Sequence, residues 1–204
     1  APGGAGVDSL QGNAGNETLA GGDNGDWLQG GADNDVLSGG AGVDTLDGSS
    51  GADNMAGGGD DDNYVVDDSG DVITEAADGG TFDSIQSSVN YVTPLNIESL
   101  TLTGSALTGA GNTQNNQITG NAQNNELQGL DGNDVLAGME GADVLYGQAD
   151  NDFLDGGDNA DVLIGGAGAD NLQGGAGDDQ LNGGVGGDAI NGGDGFDTVR
   201  YDGA

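Results

Sequence analysis

The sequence predicts an all-β protein, a parallel solenoid of short stacked strands. Three observations carry that expectation. Glycine returns every nine residues, an aspartate stands five places after it, and an apolar residue stands two places after the aspartate. Gly3 to Gln11, Gly39 to Asp47 and Gly174 to Asn182 each show the unit. A fixed period of this kind marks an element that cannot bury its apolar face alone and must stack on copies of itself.

The first block of units runs from Gly3 to Val65 and the second from Gly111 to Arg200. Position 1 is Gly in every unit. Position 8 is apolar in every unit, from Leu10, Leu19, Leu28, Leu37, Leu46, Met55 and Tyr64 to Ile118, Leu127, Leu136, Leu145, Leu154, Leu163, Leu172, Leu181, Ile190 and Val199. Position 6 is Asp except at Glu17, Asn116 and Asn125. Positions 1 to 6 are rich in Gly, Asn and Asp, which tolerate positive φ and tight turns. Positions 7 to 9 read polar-apolar-polar, which predicts a three-residue strand with one side chain pointing inward. Helix is excluded, because each of the 46 glycines would cost about 0.8–1 kcal/mol relative to Ala in a helix interior.

Residues 66–110 break the period. Asp71–Thr74, Ser84–Val92 and Ile97–Thr103 alternate and are rich in β-branched residues, so strands are expected there. Pro94 marks a turn between two of them. The chain therefore divides into a first roll block at 1–65, a bridging β segment at 66–110 and a second roll block at 111–204. The bridge is expected to continue the stack, because it lacks the Pro or Gly/Ser content of a linker. A short globular insert is the alternative.

Composition narrows the function. Lys and Arg together number one, Arg200, against 36 acids and no His, for a net charge of −35. Nucleic acid is excluded as a direct partner, since binding there needs basic side chains on phosphates. No apolar run approaches a bilayer span, so membrane insertion is not expected. Without Cys there is no disulfide. Without Cys and His, most transition metals lose their preferred ligands. Carboxylates and carbonyls remain, and they suit hard cations. A bare chain this acidic repels itself towards disorder, so something positive must enter before it compacts. No signal peptide is visible, and the ends at Ala1 and at Tyr201 to Ala204 read as those of a segment of a longer protein.

Catalysis is not expected within these residues. H-E-x-x-H is impossible without His, G-x-S-x-G is absent, and no cysteine nucleophile exists. Paired acids suit glycosidases, but here the acids are periodic and interchangeable, whereas a catalytic pair is singular.

The pattern G-G-x-G-x-D-x-U-x resembles the RTX, or haemolysin-type, calcium-binding repeat. The resemblance implies a right-handed parallel β-roll with two nonapeptides per coil. It implies calcium between stacked turns, held by position 6 carboxylates and by carbonyls at positions 1 to 4. On that reading Asp8, Asp26, Asp44 and Asp62 form one column, and Glu17, Asp35 and Asp53 the facing one. In the second block Asn116, Asp134, Asp152, Asp170 and Asp188 form a column facing Asn125, Asp143, Asp161, Asp179 and Asp197. At most about thirteen ions fit, which would offset most of the negative charge. Glu17 is one methylene longer than Asp, and Asn116 and Asn125 offer a neutral oxygen, so these turns depart from the pattern. Asp33, Asp60 and Asp150 at position 4 either add oxygens or face water. Ser87–Gly104 also resembles a segment that accompanies such repeats in large secreted proteins. The resemblance further implies export through type I secretion and folding at the extracellular calcium concentration or on the cell surface.

Positions 7 and 9 point outward. Val144, Tyr146, Val162 and Ile164 are expected to meet on one sheet as an apolar patch, with Val135 and Phe153 on the other. Such a patch suits polysaccharide or other copies of the protein; plain β-propensity at strand positions is the alternative. Trp27 is also outward and could stack on a sugar.

Overall fold

The structure, a computed structural model, describes residues 2–200; the terminal residues Ala1 and Tyr201 to Ala204 lie outside the described residues. The described residues form strands and turns with no helix. The chain divides into two compact units. One holds the residues up to Val89 with Pro94–Ser99, and the other Asn90–Thr93 with Leu100 onward.

In the first unit alternate strands go to two parallel sheets. Thr18–Asp23, Val36–Ala41, Asn54–Gly59 and Val72–Ile73 follow one another in one sheet; Ser9–Ala14, Trp27–Ala32, Thr45–Ser50, Asn63–Val66 and Ser84–Ser87 follow in the other. Each coil of two nonapeptides thus places the chain one rung further along, which is a parallel β-solenoid. Registry keeps like on like. Leu10 pairs Leu28, Leu28 pairs Leu46, Leu46 pairs Tyr64 and Tyr64 pairs Ile85. Leu19, Leu37, Met55 and Ile73 form the facing ladder.

The second unit repeats the plan. Thr108–Ala110, Glu126–Leu130, Val144–Ala149, Val162–Ala167, Gln180–Val185 and Thr198–Arg200 stack in one sheet. Gln117–Thr119, Val135–Glu140, Phe153–Asp158, Asn171–Ala176 and Ala189–Asp194 stack in the other. Leu127, Leu145, Leu163 and Leu181 make one buried ladder, and Ile118, Leu136, Leu154 and Leu172 the other.

The strands are longer than the period suggests. They span six residues, from position 7 through position 3 of the next unit, as in Thr18–Asp23 and Phe153–Asp158. Their burial alternates, with positions 8 and 1 inward. The position 1 glycines, Gly111 and Gly120 excepted, therefore lie within strands and none has positive φ; that conformation belongs to positions 2 and 4, as at Gly166 and Gly168. The turn shrinks to positions 4 to 6.

Residues 66–110 contribute rungs to both units. Val72–Ile73 pairs with Asn54–Gly59, and Ser84–Ser87 with Asn63–Val66. Tyr91–Val92 pairs with Thr108–Ala110. The expected strand at Ser84–Val92 is interrupted after Ser87, whose hydroxyl donates to the Val89 carbonyl at 2.7 Å.

Outward residues fall as their positions dictate. Val144 pairs Val162 and Tyr146 pairs Ile164 on one sheet of the second unit, and Val135 pairs Phe153 on the other. The first four are half-buried rather than open. Trp27 is exposed, between Ser9 and Thr45.

Candidate metal centre

Position 6 ends each turn and enters the strand, so its backbone is locked to the next coil. The N–H of Asp8 donates to Asp26 Oδ1 at 2.7 Å, that of Asp26 to Asp44 at 2.6 Å, and that of Asp44 to Asp62 at 2.8 Å. Glu17 donates in the same way to Asp35, and Asp35 to Asp53, both at 2.7 Å. In the second unit the column runs Asn116 to Asp134, Asp152, Asp170 and Asp188 with spacings of 2.7–3.1 Å. The other runs Asn125 to Asp143, Asp161, Asp179 and Asp197 with spacings of 2.6–3.2 Å. Up to Asp170 and Asp179, the carbonyl of each such residue accepts from position 7 of the next coil, as Asp134 does from Phe153. Most of these carboxylates are buried; Asp8, Glu17, Asp188 and Asp197, in the terminal coils, are half-exposed.

Past the first coil, the column bonds use only one oxygen of each carboxylate. The Oδ2 atoms of Asp26, Asp35, Asp44, Asp53, Asp62, Asp134, Asp143, Asp152, Asp161, Asp170 and Asp179, and Oε2 of Glu17, are buried with no hydrogen-bond partner. A buried anionic oxygen without a partner is costly and must take up a proton or meet a cation. Burial pushes the Asp62, Asp152 and Asp161 carboxyls up to about 7, and those of Asp53 and Asp134 to about 6. Donation from the N–H below opposes this, and like charges nearby add to it. Glu17, Asp44, Asp143, Asp170 and Asp179 are raised for the same first reason.

Position 1 glycine makes room for this arrangement. A Cβ on Gly147 would overlap Asp152 Oδ2 and stand 2.6 Å from the Gly165 carbonyl oxygen. The unpartnered carboxylate oxygen and the backbone carbonyls of adjoining coils thus crowd one space that any side chain would fill. Oxygen-only donors, anionic and unsatisfied, fit calcium, which takes six to eight oxygens.

A family model, the RTX calcium-binding nonapeptide repeat in four copies, matches residues 3–28, 20–55, 29–64, 110–145, 128–163, 137–172 and 164–199. The chain belongs to the RTX calcium-binding repeat family. No curated protein matches it. The RTX pattern and the unpartnered oxygens coincide, and both support a calcium-binding module.

The three departures from the RTX pattern differ from one another. Glu17 keeps its column and leaves Oε2 unpartnered, as an Asp does. Asn116 and Asn125 instead turn their Oδ1 atoms to the N–H groups of Asn112 and Asn121, each at 2.7 Å. Asn125 Nδ2 also donates to the Ala106 carbonyl at 3.1 Å. There an amide hydrogen does the work of a cation. Asp33, Asp60 and Asp150 stand exposed with φ of 71–75°, so the left-handed turn accounts for them.

Two carboxylates extend the columns beyond the RTX units. Asp53 N–H donates to Asp71 Oδ1 at 3.0 Å, and Asp62 N–H to Asp83 Oδ1 at 2.7 Å. Sequence reasoning missed both. Asp71 follows Asp53 by eighteen residues and precedes Ile73 by two, so its signal was present; Asp83 also precedes an apolar residue by two, but an insertion shifts it out of period. Asp71 Oδ2 accepts from the Asp67 and Asp68 N–H groups at 3.2 Å each, so that column ends on protein donors. A second ladder was also missed. Asn133 N–H donates to Asn115 Oδ1 at 2.8 Å and Asn151 N–H to Asn133 Oδ1 at 3.1 Å, tying the outer turns at position 5.

Proposed function

We propose that this chain is the calcium-dependent structural module of a larger secreted or cell-surface protein, unfolded at cytosolic calcium and folded outside the cell. The observation that carries the reading is the file of buried, unpartnered carboxylate oxygens in each unit. Calcium would supply the positive charge that one Arg among 36 acids cannot. Asp8, Asp26, Asp44 and Asp62 would hold ions with backbone carbonyls of the adjoining turns, as would Glu17, Asp35 and Asp53. The columns from Asp134 to Asp188 and from Asp143 to Asp197 would do the same. Metal binding free energy then becomes folding free energy. The periodic acids favour a structural role over catalysis.

A calcium titration followed by limited proteolysis tests the compartment. Extracellular calcium modules bind at about 10⁻⁴–10⁻³ M, so protection should appear in that range. Protection that is already complete at micromolar calcium contradicts folding after export.

The pairing of Val144 with Val162 and of Tyr146 with Ile164 supports a second role for the same module, contact with polysaccharide or with further copies. Replacing Val144, Tyr146 and Val162 with Ser should abolish glycan retention or assembly and leave calcium folding intact. Retention and assembly that both survive the substitutions contradict this role.

A further inference from the structure

The column from Asp8 to Asp62 ends differently from the one that closes on Asp71, although Glu75 at its end accepts from the Ala76 N–H at 2.9 Å. After Asp62 the next rung comes from outside the nonapeptides, and it brings two acids. Asp83 accepts the Asp62 N–H, and Glu75 enters from the side. The carboxylates of Asp62, Glu75 and Asp83 offer oxygens that all lie within 4.8 Å of one another, and all three residues are buried.

The cluster has an unsatisfied member aimed into it. Asp62 is 1% exposed. Its Oδ1 accepts from Asp44, and its Oδ2 has no partner. A Cβ on Gly57 would overlap both that Oδ2 and the Tyr64 hydroxyl, so the two lie side by side. The Tyr64 hydroxyl donates to Glu75 Oε2, which points Glu75 at the same space. Asp61 fixes the strand entry that carries Asp83, accepting from the N–H groups of Thr81 and Phe82 at 2.7 and 3.1 Å. Backbone carbonyls border the cluster. A Cβ on Gly80 would stand 2.7 Å from both the Asp60 carbonyl oxygen and Asp83 Oδ2, and one on Gly79 2.8 Å from the Gly58 carbonyl oxygen.

We propose that Asp62, Glu75 and Asp83 form a separate three-carboxylate site for one divalent cation, calcium by its oxygen-only donors, that closes this column of the first unit. The proposal rests on the calcium reading above. It differs in its ligands, because Glu75 and Asp83 belong to no nonapeptide. The third carboxylate makes this site hold its ion at lower free calcium than the repeat turns, since ligand charge tunes calcium affinity.

Native mass spectrometry of the whole chain across a calcium series tests it against Glu75→Gln. The wild-type chain should bind several ions, and the variant should lose the tightest step, weakened about tenfold or more, while retaining the others. Several ions bound with an unchanged tightest step overturn the proposal. No ions bound by the wild type overturn the calcium reading itself. If Glu75→Gln does not fold in calcium, wild-type crystals soaked in terbium decide. An anomalous peak among the three carboxylates supports the site; peaks at the repeat turns with none there overturn it.

Discussion

At the scale of single residues, glycine at position 1 is held by a collision and glycine at position 2 by a dihedral angle. The two predict different mutants. Gly147→Ala drives a methyl into Asp152 Oδ2 and the Gly165 carbonyl. Overpacking of this kind costs about 1–3 kcal/mol, and calcium affinity should fall with it. Gly187→Ala is the control, because a Cβ there meets nothing within 4 Å and φ is not positive. Melting curves in saturating calcium should show a loss for the first and almost none for the second. At position 2, Met139 has φ of 83° and is half exposed. A left-handed L-residue costs about 1–2 kcal/mol, and the added chain entropy of glycine about 0.5–1 kcal/mol. Met139→Gly should therefore raise the calcium-loaded melting temperature by about 2–4 °C; a lower one contradicts the strain.

These residue roles were only partly legible. Position 6 could be found because its identity barely varies. The glycine before it reads as turn in any sequence, and only the register shows it sitting in a strand opposite a carboxylate. Asn115, Asn133 and Asn151 keep the eighteen-residue spacing, but Ala169 follows them and other position 5 residues vary, so that ladder was hidden.

At the scale of elements, two ladders share each rung. The apolar ladder is thin, one residue per six-residue strand besides glycine. Leu154 is fully buried between Leu136 and Leu172, and Leu154→Ala should cost roughly 2–5 kcal/mol in calcium denaturation curves. The acid ladder makes the rungs pH-dependent. In the metal-free fold Asp62, Asp152 and Asp161 titrate near 7, against an ordinary 3.8. The folded chain then binds more protons than the unfolded one between those values. Its stability falls as pH rises from about 4 to about 7 and stays low above that. Calcium-free protein should gain strand signal on acidification from pH 7.5 to 5, and an unchanged spectrum contradicts the buried carboxyls. In calcium the same protons compete for the same oxygens, so affinity should fall across that window. The alternating strands of the repeat were predictable from Leu at position 8. The rungs at Val72–Ile73 and Ser84–Ser87 were predicted as strands, yet Asp71 and Asp83 at their starts were not recognised as column members. Asp71 keeps the eighteen-residue spacing, but Val66 stands where its unit would open on glycine, and an insertion before Asp83 breaks the period outright.

At the scale of the whole chain, a net charge of −35 meets a fold that buries carboxylates in columns. Screening by monovalent salt acts weakly on buried charge, so sodium chloride should not replace calcium. Magnesium should not replace it either, because it demands near-ideal octahedral geometry and dehydrates reluctantly. Rungs that already carry protein donors, such as the Asn116 and Asn125 coil, should be the least sensitive to chelation. Hydrogen exchange would show them protected longest as calcium is withdrawn. Far-UV circular dichroism of the chain in EDTA and in millimolar calcium at neutral pH tests the account most directly. Strand signal that appears only with calcium is the predicted result. Full strand signal in EDTA would mean that the buried acids need no cation, and would contradict it.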